Sequence, residues 1–159
     1  MRMGRGVEWA LHACVAMSWT PVGEAVNSGR LAALYDLPAA YLNKQLQALV
    51  REGILVSVSG PRGGFALARR PDAITVLDVV LAIEGQEPAF RCEGILGNVP
   101  GGGERDDFTR SCLVSQTMRQ AELVWRQTLA RQTIAGIADS MERRFPEDRA
   151  RTVARLAAG

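Results

Sequence analysis

The sequence predicts a mainly α-helical chain carrying one small β-hairpin and a long helix toward its C-terminal end. Three observations carry that reading. Apolar residues recur at helical spacing from Val7 to Val50, the period changes to two from Ile54, and helical spacing returns beyond Cys112 after a glycine-rich gap. Val7, Ala10, Leu11, Cys14, Val15 and Trp19 form the stripe of a first helix, which Pro21 and Gly23 end. Ser28 suits the N-cap of a short second helix carrying Leu31, Leu34 and Tyr35. A tight turn at Asp36-Leu37 leads to Pro38, suited to the first turn of a third helix whose Leu42, Leu46, Leu49 and Val50 face inward, with Gly53 as its C-cap.

Ile54, Val56 and Val58 then alternate with Leu55, Ser57 and Ser59, and after Gly60-Pro61-Arg62-Gly63-Gly64 a second strand runs from Phe65 to Ala68. Ile74, Leu77, Val80, Leu81 and Ile83 restore a helix that Gly85 ends. Residues 86–111 show no period, and a loop of that length in a small domain is usually functional or disordered. Leu113, Met118, Leu123, Val124, Leu129, Ile134 and Ile137 mark one long helix of a kind that often pairs with its own copy. The resulting division is 1–85 as a winged helix-turn-helix, 86–112 as a ligand-binding loop, 113–138 as a dimerisation helix and 139–159 as a charged tail.

Composition bounds the function. With 159 residues, 47% of them hydrophobic and 23% charged, the chain buries one ordinary core with one extension. The formal charge of +2 is too small to identify a nucleic-acid partner, so the placement of the basic residues decides. Three cysteines without an even framework argue against a secreted disulfide scaffold and favour the cytoplasm. Arg2 and Arg5 before an apolar run imitate a signal sequence, but Glu8 and His12 interrupt that run. No stretch reaches the ~20 apolar residues that span a bilayer.

Two short helices, a tight turn and a glycine-tipped hairpin place the third helix in the major groove of duplex DNA and the hairpin along the backbone. Outside the apolar face of that helix stand Tyr41, Asn43, Lys44, Gln45, Gln47 and Arg51. Asn and Gln can read adenine bidentately, Lys44 can meet guanine or phosphate, and Arg51 suits phosphate. Ser28, Ser59, Arg62 and Gly63 complete the candidate DNA-facing set, with Arg69 and Arg70 extending a positive edge. The same architecture also serves as a protein-interaction module, so the pattern alone leaves both readings open.

The runs Leu37-Pro38-Ala39-Ala40-Tyr41-Leu42-Asn43-Lys44, Leu49-Val50-Arg51-Glu52-Gly53-Ile54-Leu55, Gly60-Pro61-Arg62-Gly63-Gly64-Phe65-Ala66-Leu67-Ala68-Arg69 and Ile74-Thr75-Val76-Leu77-Asp78-Val79-Val80 narrow the choice. In this order they resemble the bacterial regulator family that includes IscR and NsrR, over roughly residues 7–137. The resemblance implies a homodimer reading a palindromic operator through two winged helices, most often as a repressor. Many members hold an iron-sulfur cluster on three cysteines close together beyond the wing. This chain departs from that pattern, with only Cys92 and Cys112 in the corresponding stretch and Cys14 on the apolar stripe of the first helix.

Glu8 and His12, the one histidine, lie one turn apart on the same face of the first helix. Thiolate, imidazole and carboxylate all bind iron, and Glu8, His12, Cys92 and Cys112 supply the four terminal ligands that a 2Fe-2S cluster requires. The set is similar to the RsrR-type redox-sensing subgroup, which implies a cluster bridging two subunits and makes Trp9, beside Glu8, a candidate redox-coupled switch. Bland alternatives stand beside each residue: His12 and Glu8 as a boundary pair, Trp9 as an interface aromatic, the cysteines as buried small hydrophobes. Two rival regulators remain, one holding zinc on the same four residues and one switching by thiol oxidation at Cys92 and Cys112. An enzyme using a cysteine nucleophile with His12 as base is disfavoured. His12 is close in sequence only to Cys14, and no oxyanion or phosphate-cradling motif is present.

Overall fold

The computed structural model describes residues 3–61, 63–98 and 112–157. Its central element is α1 (Arg5–Ser18), which buries Val7, Ala10, Ala13, Cys14, Val15, Ala16 and Met17. That face is wider than the predicted stripe because α1 is covered from several sides, by helices from both ends of the chain and by the hairpin. Small residues at positions 10, 13 and 16 let those neighbours approach closely.

Helix α2 (Ser28–Leu34) is capped by Asn27, whose side chain accepts from the Gly29 amide at 2.8 Å, so Ser28 is the first helical residue and not the cap. Both residue types suit the cap, and Asn27 holds the extended backbone it requires. The turn to the next helix closes through the Leu37 amide on the Ala32 carbonyl at 2.9 Å, with Asp36 in the left-handed region at φ 52. Helix α3 (Ala39–Arg51) starts after Pro38 and buries Leu42, Leu46, Ala48 and Leu49. Removing each of the leucines from water stabilises the domain by roughly 1.5–3 kcal/mol.

Strands β1 (Leu55–Val58) and β2 (Gly64–Leu67) pair antiparallel, with Leu55 opposite Leu67 and Val58 opposite Gly64. Val26 adds a further bridge to Phe65 through hydrogen bonds of 2.8 and 2.9 Å. The alternation read from the sequence does not hold in β1: Ile54 and Leu55 are both buried, while Val56 and Val58 are exposed. The hairpin is anchored instead through β2, whose Phe65 and Ala66 are buried and whose Phe65 is bridged by Val26. A 3-10 turn (Pro71–Ala73) leads to α4 (Val76–Glu84), which a reciprocal capping box of Thr75 and Asp78 starts and Gly85, at φ 89, ends.

The region beyond Cys112 corrects the predicted single helix. It comprises α5 (Leu113–Ala130), α6 (Ile134–Arg144) and α7 (Pro146–Ala157). Thr133 breaks the run by capping α6, its hydroxyl accepting from the Gly136 amide at 3.0 Å. The break is clamped to the winged domain. The Val76 amide donates to the Gln132 carbonyl at 2.8 Å and the Ile134 amide to the Ile74 carbonyl at 2.9 Å. The tail from 139 on is likewise no loose appendage, since Leu156 joins the core around α1 and Met141 and Val153 pack against it.

Helix α5 is different. Of its eighteen residues only Ser115 is buried. Trp125 and Leu129 pack against Val7, Val76 and Val80, whereas Leu113, Val114, Met118, Leu123 and Val124 are exposed. No helix among the described residues is long and apolar enough to cross a membrane.

Candidate nucleic-acid interface and metal-ligand sites

The outer face of α3 presents Tyr41, Asn43, Lys44, Gln47 and Arg51, all exposed. Tyr41, 64% exposed, stands near the N-terminal end, where a recognition helix meets base edges. Gln45 lies apart from this set. It is half-buried, and its amide packs so closely on α1 that a Cβ at Gly6 would fall 2.8 Å from it. Ser28 is half-buried at the start of α2, and Ser59 is exposed at the end of β1.

Arg62 lies outside the described residues. Gly63 has an internal reason to be glycine, because its amide closes a turn on the Gly60 carbonyl at 2.8 Å and a Cβ there would sit 2.3 Å from the Val58 carbonyl oxygen. A Cβ on Gly64 would likewise fall 2.2 Å from the Val26 carbonyl oxygen. The positive edge is smaller than the sequence suggests. Arg70 pairs with Asp72, holding that carboxyl below the usual range, and Arg69 lies 3.8 Å from Asp78.

Glu8 and His12 are both exposed on α1 and line one shallow hollow with Met3, Val7 and Leu11. Cys92 and Cys112, both half-buried free thiols, line another with Phe90, Ile95 and Val114. The chain therefore gathers the four predicted ligands into two pairs. Among the described residues no group of three or more metal-ligating side chains converges. Cys14 is fully buried, and burial pushes its thiol up from 9.0 to about 12, which agrees with a packing role. Trp9 is half-buried and packs against the core.

Two contacts had no sequence signal. The Tyr35 ring lies 5.6 Å from the His12 ring, and its hydroxyl donates to the His12 carbonyl at 3.2 Å. Since Tyr35 ends α2, this joins the Glu8–His12 face directly to the helix-turn-helix. Arg126 pairs with Glu122, stacks on Trp125 and donates to the Gln86 carbonyl at 3.2 Å, pinning the start of the glycine-rich segment to α5. Both contacts link residues far apart in the chain, which periodicity does not reveal.

The helix-turn-helix, its hairpin and the long α5 define a winged-helix protein. Residues 3–140 match the Rrf2 family, described as an iron-dependent transcriptional regulator, and the chain belongs to that family. It is 31% identical over 118 residues to the HTH-type transcriptional regulator IscR of Photorhabdus laumondii, covering 70% of each chain. Its fold is similar to that of T. potens IscR, with a TM-score of 0.67, 18% identity and coverage of 91% of both chains. It is also similar to CymR, the global cysteine regulator of B. subtilis, with a TM-score of 0.63, 19% identity and coverage of 88% of this chain and 98% of that one. The family is one of transcriptional regulators and not of enzymes.

Proposed function

We propose that the chain acts as a homodimer that binds a palindromic DNA operator, as a repressor, and senses redox state through a 2Fe-2S cluster bridging its subunits. The observation that supports the bridge is the division of the ligands: Cys92 and Cys112 share one hollow, while Glu8 and His12 share an exposed helical face elsewhere. The donor chemistry fits such a group, with a thiolate pair for one iron and a carboxylate–imidazole pair for the other. A cluster so held supplies one-electron chemistry at a potential above that of an all-cysteine site.

The chain's own residues do the rest. The apolar face of α5 is the surface on which a second copy seats, bringing one subunit's Glu8 and His12 toward the other's cysteines. Asn43, Lys44 and Gln47 read base edges, and Arg51 and Ser59 hold phosphates. The His12–Tyr35 contact carries any shift of the imidazole to the end of α2, so ligand position and placement of the reading heads vary together. A difference of a few kcal/mol between two dimer geometries is enough to change operator occupancy.

Mixed dimers test the bridge. A Cys92→Ser/Cys112→Ser chain is paired with a Glu8→Ala/His12→Ala chain, and anaerobic absorbance, iron and acid-labile sulfide are measured. Ligands crossing between subunits rebuild one complete site per mixed dimer; ligands confined within a subunit rebuild none. A colourless wild-type protein holding zinc would replace the cluster with a four-coordinate metal. The shared hollow of Cys92 and Cys112 also favours a second reading, a metal-free thiol switch, which a reversible Cys92–Cys112 disulfide in metal-free protein would establish.

A further inference from the structure

We infer that the C-terminal helix α7 extends the DNA-binding surface, its Arg151 and Arg155 taking phosphates of the duplex outside the segment that α3 and the hairpin cover. The inference rests on the DNA-binding reading of α3. Residues 146–157 lie beyond the segment matched to the family, residues 3–140, so this helix is not part of what membership in the family implies.

Its position is set by the winged domain. Helix α7 packs on α2 and α6, and α2 packs in turn on α3, so α2 touches both the recognition helix and α7. The docking is specific at the far end. Leu156 is buried in the core, Val153 packs beside it, and Arg30 of α2 donates from Nη1 to the Leu156 carbonyl at 2.8 Å. That bond satisfies a terminal carbonyl of α7 with a cation, the chemistry a helix C-terminus favours. Arg30 is the third residue of α2, so the last turn of α7 lies beside the first turn of α2. There stands Ser28, one of the residues read as facing the duplex.

With Leu156 and Val153 turned inward, Arg151 and Arg155 lie four residues apart on the outer face, and both are exposed. Arg155 has no ion pair among the described residues, and the Arg151–Asp148 pair is exposed, so a phosphate displaces the carboxylate at little cost. Guanidinium suits the task, binding phosphate bidentately while remaining charged at every working pH.

Full-length protein and an Arg151→Gln/Arg155→Gln variant are compared for operator affinity from low to moderate salt, with hydroxyl-radical footprints of both. Each lost phosphate contact flattens the slope of log affinity against log salt by about 0.9, so a loss of about 2 per protomer is expected, with protection disappearing at the outer edges of the footprint. An Arg155→Glu chain should weaken operator and unrelated duplex alike. Equal helicity and melting temperature in the variant and the parent separate lost contacts from lost structure. An unchanged slope and footprint in a well-folded variant overturns the role of α7 while leaving the α3 reading intact. Wild-type protein that binds no duplex overturns both.

Discussion

Replacing Leu156 by alanine asks whether the C-terminal helix belongs to the domain. Its side chain is 5% exposed and joins the core around α1, near the last turn of a helix held to α2 by the Arg30 hydrogen bond. Truncating a buried leucine costs about 2–5 kcal/mol, the transfer term plus the cavity left behind. A terminal helix can settle into part of that cavity, which places this site at about 2–3 kcal/mol. In a chain of this length such a loss lowers the melting temperature by roughly 5–10 °C. Urea titration and thermal melts at one fixed protomer concentration measure it, because a dimer's apparent stability depends on concentration. Val22→Ala, at a fully exposed position, is the control and should change stability by less than about 0.5 kcal/mol. A Leu156→Ala chain indistinguishable from that control would refute the docking of α7 and return residues 139–159 to the loose charged tail that composition suggests.

Further outcomes follow from the same geometry. In folded, metal-free protein Cys14 should resist alkylation at pH 8 while Cys92 and Cys112 react, as peptide mass spectrometry reads directly; rapid labelling of Cys14 would contradict its burial. Because the Cys14 thiol is raised from 9.0 to about 12, its contribution is fully present below pH 9 and is lost as pH climbs toward 12, so Cys14→Ala should flatten the alkaline arm of a stability–pH curve. Asn43→Ala should relax base preference at one operator position by about 1–3 kcal/mol, whereas Gln45→Ala, turned against Gly6, should leave that preference unchanged in a selection of randomised operators. Tyr35→Phe keeps the ring but removes the 3.2 Å bond to the His12 carbonyl; operator affinities of oxidised and reduced protein should then converge, and an undiminished difference would exclude this route between the two sites.

Much of the amino-terminal half was legible in the sequence, because its elements are short, separated by turn residues and marked by a change of period. Leu42, Leu46 and Leu49 fall on one face of α3 by spacing alone, and the glycines announce the wing. The misplaced cap at Ser28 is a one-residue shift between two suitable side chains. The intrachain contacts of Gln45 and Gly63 escaped the sequence for a common reason. Periodicity tells which residues avoid the main apolar face, but not which of the remainder a neighbouring helix or a tight turn has already taken. The outer face of α3 therefore loses Gln45 to Gly6, and the wing glycines serve the Val58 and Val26 carbonyls within the chain.

The candidate ligands show the same division. The i, i+4 relation of Glu8 and His12 is local and survives any packing, whereas the distribution of four residues into two hollows depends on where α1 and α5 lie. Likewise the apolar run from Leu113 to Ile137 crosses a real break with no proline or glycine between Ala130 and Ile134 to mark it. The Thr133 cap and the long-range pairing of Thr133 with Thr75 interrupt the helix there.

The sequence by itself determined the helix-turn-helix, the hairpin and which residues stand as candidates for DNA contact and metal ligation, because each depends on interactions within a few residues. The tertiary structure decided that residues 134–157 close over the winged domain, that His12 meets Tyr35, and that the candidate ligands stand in two pairs within one chain. Those outcomes depend on contacts between segments distant in sequence, which are set by the packing of whole helices around α1 and not by any local pattern.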